Sequence, residues 1–84
     1  MKSKSKISTL VRPSVIGAKG FMYPDLETAG YVISKGTDLD PIPYLGGGRP
    51  ESLQAVLIEN SKVTGSPVES GISLYWIKKE VIEN

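Results

Sequence analysis

Two short stretches carry residue types that could do chemistry. Gly46-Gly47-Gly48-Arg49 comes just before Pro50, and a helix beginning there would aim backbone N–H groups at an anion. The stretch lacks the Gly-Lys-Ser/Thr ending of a P-loop and follows no clear strand, so it more simply indicates a flexible loop. Asp38 and Asp40 could ligate a hard cation, but no third carboxylate follows at calcium-loop spacing. This pattern favours two aspartates that cap turns.

The chain contains neither histidine nor cysteine. Their absence excludes a Ser-His-Asp triad, a cysteine nucleophile, a disulfide and a zinc site built from imidazole or thiolate ligands. Acid–base catalysis would then depend on a carboxylate, lysine or tyrosine with a strongly shifted pKa. A chain of 84 residues rarely has a core thick enough to bury such a group. We therefore expect no enzymatic activity, no metal and no cofactor.

Charge is unevenly distributed along a chain whose net charge is +1. Residues 1–20 contain no acidic residue. The cations in this segment are Lys2, Lys4, Lys6, Arg12 and Lys19. Such an arm could contact the phosphates of a nucleic acid or an acidic protein surface. The simpler interpretation is a solvated terminus. The alternation of lysine and serine predicts a disordered arm over residues 1–5, followed by a single small domain over residues 6–84.

Composition places the chain among folded proteins. Apolar residues make up 39% of it, and with the nine glycines they account for half, the ordinary value for a globular domain. The longest purely apolar runs, residues 55–58 among them, have only four residues, too short for a membrane span or a signal-peptide core. We therefore expect a cytoplasmic protein that makes no contact with a membrane.

Most local patterns predict short strands joined by glycine and proline turns. Residues 6–16 alternate like a strand, which Pro13 limits to an edge strand or to two short strands with a bend between them. Residues 31–34 predict a short strand that ends in a turn. Residues 72–77 carry large apolar side chains on both faces. That pattern is typical of a central strand or of a strand that meets a partner.

Residues 53–60 fit two structures. As a helix they would start near Pro50 with three apolar side chains on one face, giving an α+β fold with a helix at about residues 50–60. As a strand they would alternate between two faces, and an Asn60-Ser61 turn would pair them with residues 62–64 as a hairpin. The strand is slightly favoured because residues 62–64 offer it a partner.

Residues 35–52 predict the one long loop of the domain. Pro41 and Pro43 force extended backbone, and three consecutive glycines leave the chain loose. A loop of this length inside a small domain is uncommon, and such loops are often functional or mobile.

The end of the chain resembles the close of an SH3-like small β-barrel. The residues that carry this resemblance are Ser73-Leu74-Tyr75-Trp76-Ile77-Lys78-Lys79-Glu80-Val81-Ile82. Members of that superfold commonly finish with an aromatic-rich strand, a tight polar turn and a short last strand, and residues 7–34 fit the architecture more loosely. The resemblance implies a mainly β domain, either an SH3-like or an open barrel. Such domains mostly bind peptides, nucleic acid or other proteins.

We therefore predict a non-catalytic module that binds another protein, as an adaptor, an inhibitor or an assembly subunit. Residue types common in binding hot spots lie in the long loop and along the last long strand. The predicted contact residues are Tyr44, Leu45, Arg49, Tyr75 and Lys78. Of the two aromatic residues in the strand, Trp76 is expected in the core and Tyr75, on the opposite face, at the surface.

Two further expectations concern partners. Apolar groups on both faces of residues 72–77 predict a homo-oligomer, because small domains often gain core by self-association. The alternative function is a nucleic-acid-binding small barrel whose basic N-terminal arm contacts phosphate. The residues predicted to make these contacts, in the arm and just after it, are Lys2, Lys4, Lys6, Arg12 and Lys19.

Overall fold

Antiparallel strands dominate the computed structural model, which describes residues 3–17, 20–22, 30–43 and 51–83. The strands are β1 (Ser3–Ser5), β2 (Thr9–Pro13), β3 (Val15–Gly17), β4 (Gly20–Met22), β5 (Tyr31–Ile33), β6 (Asp38–Pro41), β7 (Leu53–Glu59), β8 (Ile72–Lys78) and β9 (Ile82–Glu83). Seven of them form a sheet in the order β5-β2-β8-β7-β6-β1-β9, which curls into an open half-barrel, while β3 and β4 pair with each other. The prediction of a mainly β fold is confirmed.

Helical structure in these ranges is confined to two 3₁₀ turns, Asn60–Lys62 and Lys79–Val81. Neither turn is long and apolar enough to cross a membrane.

The hairpin of β7 and β8 lies at the centre of the sheet. Its ladder of residue pairs runs from Leu53–Lys78 to Glu59–Ile72. β8 is flanked by β2 on its other side, so the prediction that it is a central strand is confirmed. The alternative of a helix at residues 50–60 is wrong. Successive apolar side chains of β7 fill two opposite faces of the sheet, whereas a helix would bury only one stripe.

The connection between β7 and β8 is longer than the sequence suggested. Residues 60–71 join the two strands, and residues 62–64 do not pair with β7 as predicted. Instead, Thr64 pairs with Val32 of β5 through two backbone hydrogen bonds of 2.8 and 3.1 Å. The predicted pairing was wrong because the backbone N–H and C=O groups of Thr64 bond to the edge strand β5 instead.

The inner face of the half-barrel holds the main core. Its buried apolar residues are Val11, Ile33, Leu39, Val56, Ile58, Val63, Tyr75, Ile77 and Val81. Tyr31 packs edge-on against Tyr75, with ring centroids 6.5 Å apart. The expectation that Tyr75 lies at the surface is wrong: it is only 2% exposed. Strand alternation places Tyr75 on the same face as Ile77, and that face curls inward.

The outer face of the same hairpin is also buried at one end. Leu53, Ala55 and Trp76 are at most 2% exposed, so the prediction that Trp76 belongs to the core is confirmed. Two half-buried apolar side chains pack against this cluster, Ile42 and Leu74. Both faces of β8 are thus filled here within a single chain. The apolar pattern of this strand is accounted for without a second copy, and self-association stays a prediction.

Residues 3–5 are part of the sheet. β1 pairs with β6 on one side and with β9 on the other, burying Ser3 and Ser5. Lys4 points to solvent and forms an exposed ion pair with Asp38, with 3.2 Å between Nζ and the carboxylate oxygen. The prediction of a disordered arm is therefore wrong for residues 3–5. Small serine side chains fit the buried positions of a strand, and the lysine between them stays solvated.

The stretch expected to be one long loop, residues 35–52, contains a strand. The turn before β6 has Gly36 at φ +83°, a conformation that glycine adopts without strain. β6 ends at Pro41, and the extended backbone that proline imposes suits a strand end. The predicted contact residues of this loop lie outside the described residues: Tyr44, Leu45 and Arg49.

Removing residues 1–5 should destabilise the protein, because β1 is hydrogen-bonded within the sheet. Ser5 N–H donates to the Thr37 carbonyl at 3.0 Å, and Gly36 N–H donates to the Ser5 carbonyl at 2.7 Å. With a net contribution of about 1 kcal/mol for each hydrogen bond, the truncation should lower the free energy of unfolding by about 2–5 kcal/mol. Urea denaturation measures this change.

The matched control is Lys4→Ala, which removes only the exposed ion pair with Asp38 and should cost less than about 1 kcal/mol. A truncated chain with the same urea midpoint as the intact protein would contradict the pairing of β1.

Candidate functional site

An open groove runs along the outer face of β6 and β7, on the opposite side of the sheet from the main core. Its volume is about 600 Å³. The turn before β6, residues 38–40 of β6, alternate residues of β7, the first residue of β8 and the segment after β7 form its floor and walls. The side chains that give it chemical character are Asp38, Asp40, Leu57, Glu59, Lys62 and Ile72.

Strand register brings these side chains together. Asp40 is the cross-strand partner of Leu57, and two residues further along β7, Glu59 is the partner of Ile72. Partners in an antiparallel ladder share a face, and so do residues two apart on one strand. Asp38 therefore lies on the same face as Asp40. The result is an acidic column on β6 beside a mixed column on β7 and an apolar edge on β8.

The apolar edge of the groove ends in Ile72. This side chain is 64% exposed, more than any other large apolar side chain in the part of the chain that the structure describes. Leu57 and Leu74 lie half-buried beside it on the same face. Covering a side chain of this size completely is worth about 1.5–3 kcal/mol, so Ile72 leaves substantial apolar surface for a partner to bury.

The acidic side of the groove is only partly neutralised. Asp38 is paired with Lys4, whereas Asp40 and Glu59 form no ion pair with any described residue. Lys35 and Lys62 line the rim of the groove. Among the described residues, no group of three or more acidic side chains is arranged to hold a metal ion.

A second depression continues the groove beyond Ile72. It has a volume of about 330 Å³, and the end of the 60–71 connection contributes Glu69 and Ser70 to it. Glu59 and Ile72 line both depressions, so the two form one continuous surface.

A buried polar cluster holds the wall of the groove in place. The Tyr75 hydroxyl donates to Asn60 Oδ1 at 2.5 Å. Asn60 Nδ2 donates to the Ser70 carbonyl at 3.0 Å and to Ser73 Oγ at 2.9 Å. Because Asn60 is buried, these bonds replace the hydrogen bonds it would make with water. They tie the start of the 60–71 connection to its end.

The same connection is fastened to the far edge of the sheet. Beyond the backbone pairing of Thr64 with Val32, Gly65 has φ +92° and approaches Tyr31 closely enough that a Cβ would lie 3.5 Å from the ring. Ser66 Oγ lies 3.4 Å from the Tyr75 hydroxyl. The wall of the groove is therefore held by contacts with β5 and β8.

The described structure does not gather the predicted contact residues into one site. Tyr75 is buried in the inner core, and Lys78 is exposed at the opposite end of β8 from Ile72. The remaining three, Tyr44, Leu45 and Arg49, lie outside the described residues. Lys78 is thus the predicted contact residue that the described structure leaves at the surface.

The cations of the alternative, nucleic-acid-binding hypothesis differ in their surroundings. Lys4 and Lys6 are exposed, whereas Arg12 is only 3% exposed. A Cβ at Gly30 would lie 1.4 Å from Arg12 Nη1, so the guanidinium occupies the space that this glycine leaves free. Arg12 is therefore a packing residue rather than a surface cation. The other two cations of this hypothesis, Lys2 and Lys19, lie outside the described residues.

Sequence reasoning missed the groove. A signal was nevertheless present: Asp38-Leu39-Asp40 alternates between acidic and apolar residues, and Glu59 directly follows the apolar run of residues 55–58. These acidic residues can be assigned to one face of adjacent strands only if the pairing of the strands is known.

Comparison of the chain with protein-family models, with curated proteins and with solved structures finds no match in any of the three.

Asn60→Ala should destabilise the protein by about 2–3 kcal/mol, because it leaves the buried hydroxyl of Tyr75 without its acceptor. Tyr75→Phe should cost about 1–2 kcal/mol by the same reasoning. Since both substitutions break one shared bond, the double variant should cost at least about 0.5 kcal/mol less than the sum of the two. Urea denaturation of the four proteins gives this coupling.

Ser61→Ala serves as a control at an exposed neighbouring position and should leave the free energy of unfolding within about 0.5 kcal/mol. If the double variant instead costs the sum of the two single variants, the Asn60–Tyr75 bond does not hold the connection.

Proposed function

We propose that the chain is a non-catalytic protein-binding module and that the outer groove of β6, β7 and β8 is its contact surface. The observation that carries this proposal is the exposure of Ile72 inside an open groove bordered by carboxylates. Apolar side chains rimmed by polar groups are typical of protein interaction sites. Within this class, the module acts as an adaptor, an inhibitor or an assembly subunit.

The groove supports this proposal because its apolar residue is presented by a firmly held strand. Ile72 starts β8, whose residues 75–77 are buried on both faces, and its partner Glu59 ends β7. A preorganised surface loses little conformational entropy on binding, so more of the gain from burying Ile72 appears as affinity.

We also propose that the half-barrel has the SH3-like small-barrel architecture. β8 with its two aromatic residues, the 3₁₀ turn Lys79–Val81 and the short β9 follow the order on which the sequence resemblance was based. β1 lies beside β9, so the first and last strands of the chain are neighbours in the sheet. Small barrels of this kind mostly bind other macromolecules, which agrees with the proposed function.

The test is a comparison of Ile72→Ser with Leu10→Ser. Leu10 is 51% exposed on β2 and does not line the groove, so the two substitutions remove similar apolar surface at different places. A partner captured from native cells and then purified should bind Ile72→Ser at least about tenfold more weakly, as expected for the loss of about 1.5 kcal/mol of apolar burial. Its affinity for Leu10→Ser should stay within about twofold.

Nuclease treatment and salt distinguish the alternative. A protein partner should remain bound after nuclease and tolerate a fourfold rise in salt, whereas binding through phosphate contacts falls steeply with salt, with a slope of about −0.9 per phosphate neutralised. Loss of binding with nuclease, or an equal response of the two serine variants, would contradict the proposed function.

A further inference from the structure

The groove also indicates what kind of partner it binds, an inference that rests on the proposed function. We infer that the groove binds an extended segment of another protein in which an apolar side chain is followed two positions later by lysine or arginine. Three observations lead to this inference: the apolar edge on β8, the acidic column on β6 and the spacing between them.

The groove has carboxylates on both β6 and β7. Asp38 and Asp40 project from β6 and Glu59 from β7, all on the outer face. Lys4 neutralises Asp38, but Asp40 and Glu59 form no ion pair with described residues. A partner's cation placed between them would gain two carboxylates that no described cation already pairs with. An acidic or purely apolar segment would leave them in an unfavourable, partly desolvated site.

The spacing of the strands sets the distance between the apolar edge on β8 and the carboxylates on β7 and β6. Neighbouring strands of a sheet lie about 5 Å apart, so Glu59 is about 5 Å and the β6 column about 10 Å from the line of Ile72. In an extended segment, side chains two positions apart point the same way and are separated by about 7 Å. Asp40 pairs with Leu57, two residues along β7 from Glu59. A segment that crosses the strands diagonally, with its apolar side chain on Ile72, therefore brings the second side chain between Glu59 and Asp40.

Ile72 provides the apolar part of the groove. Its exposed surface joins the half-buried Leu57 and Leu74, which makes a shallow apolar floor for one side chain. Neither the floor nor the carboxylates alone would select a segment. Together they require an apolar and a basic group at a defined spacing, which gives specificity.

The probe is a synthetic peptide, acetyl-Ser-Leu-Ser-Arg-Ser-amide, titrated into the ¹⁵N-labelled protein and followed by amide chemical shifts. Saturable shifts should centre on Leu57, Glu59 and Ile72. Replacing the arginine of the peptide by glutamate, or its leucine by serine, should weaken binding at least about fivefold, or about 1 kcal/mol. Moving the arginine next to the leucine tests the spacing and should have a similar effect.

The matched protein variants are Glu59→Gln and Glu83→Gln, which remove one exposed carboxylate inside and one outside the groove. Glu59→Gln should weaken the arginine peptide at least about threefold, and Glu83→Gln should leave it unchanged. Absence of saturable shifts with millimolar peptide, equal binding of all peptides, or shifts with an oligothymidine of the same length instead, would overturn the inference.

Failure of this inference can be separated from failure of the proposed function. If a captured partner responds to Ile72→Ser but not to Glu59→Gln, the groove is a contact surface and the partner's segment is not basic. If it responds to neither substitution, the groove is not the contact surface and the proposed function of this site fails as well.

Discussion

The ladder between β7 and β8 is the interaction on which the rest of the structure depends. An 84-residue chain can bury only a modest apolar surface, and here that surface is concentrated in one strand pair filled on both sides. Tyr75 and Ile77 face the inner core, and Trp76 faces the outer cluster. Every other strand of the large sheet is positioned directly or through its neighbours by this hairpin.

The groove follows from the way the outer face of that hairpin is covered. At one end, Trp76 and its neighbours are buried, whereas at the other end Ile72 remains open to solvent beside Glu59. The 60–71 connection does not fold over this open end. Hydrogen bonds of Asn60 and the pairing of Thr64 with β5 hold it to the side, where it becomes a wall. The same polar contacts that complete the fold thus keep the groove uncovered.

Alternation along the chain predicted most strands, because residues such as those of β8 carry their own pattern of apolar side chains. It could not predict β1, since Ser-Lys-Ser has no apolar signal and becomes a strand only by pairing with β6 and β9. It could not tell that Tyr75 is buried, because both faces of β8 are apolar and curvature decides which one is enclosed. The groove depends on the register between β6, β7 and β8, which a single sequence does not contain.

The fluorescence of Trp76, the single tryptophan, tests most directly whether one chain fills both faces of β8. With Trp76 0% exposed, its emission should be blue-shifted and weakly quenched by acrylamide. Both properties should survive about thousandfold dilution, since burial within one chain does not depend on protein concentration. A red-shifted, readily quenched emission, or a red shift that develops on dilution, would contradict the account, because the outer cluster would then be open or would be covered only by a second copy.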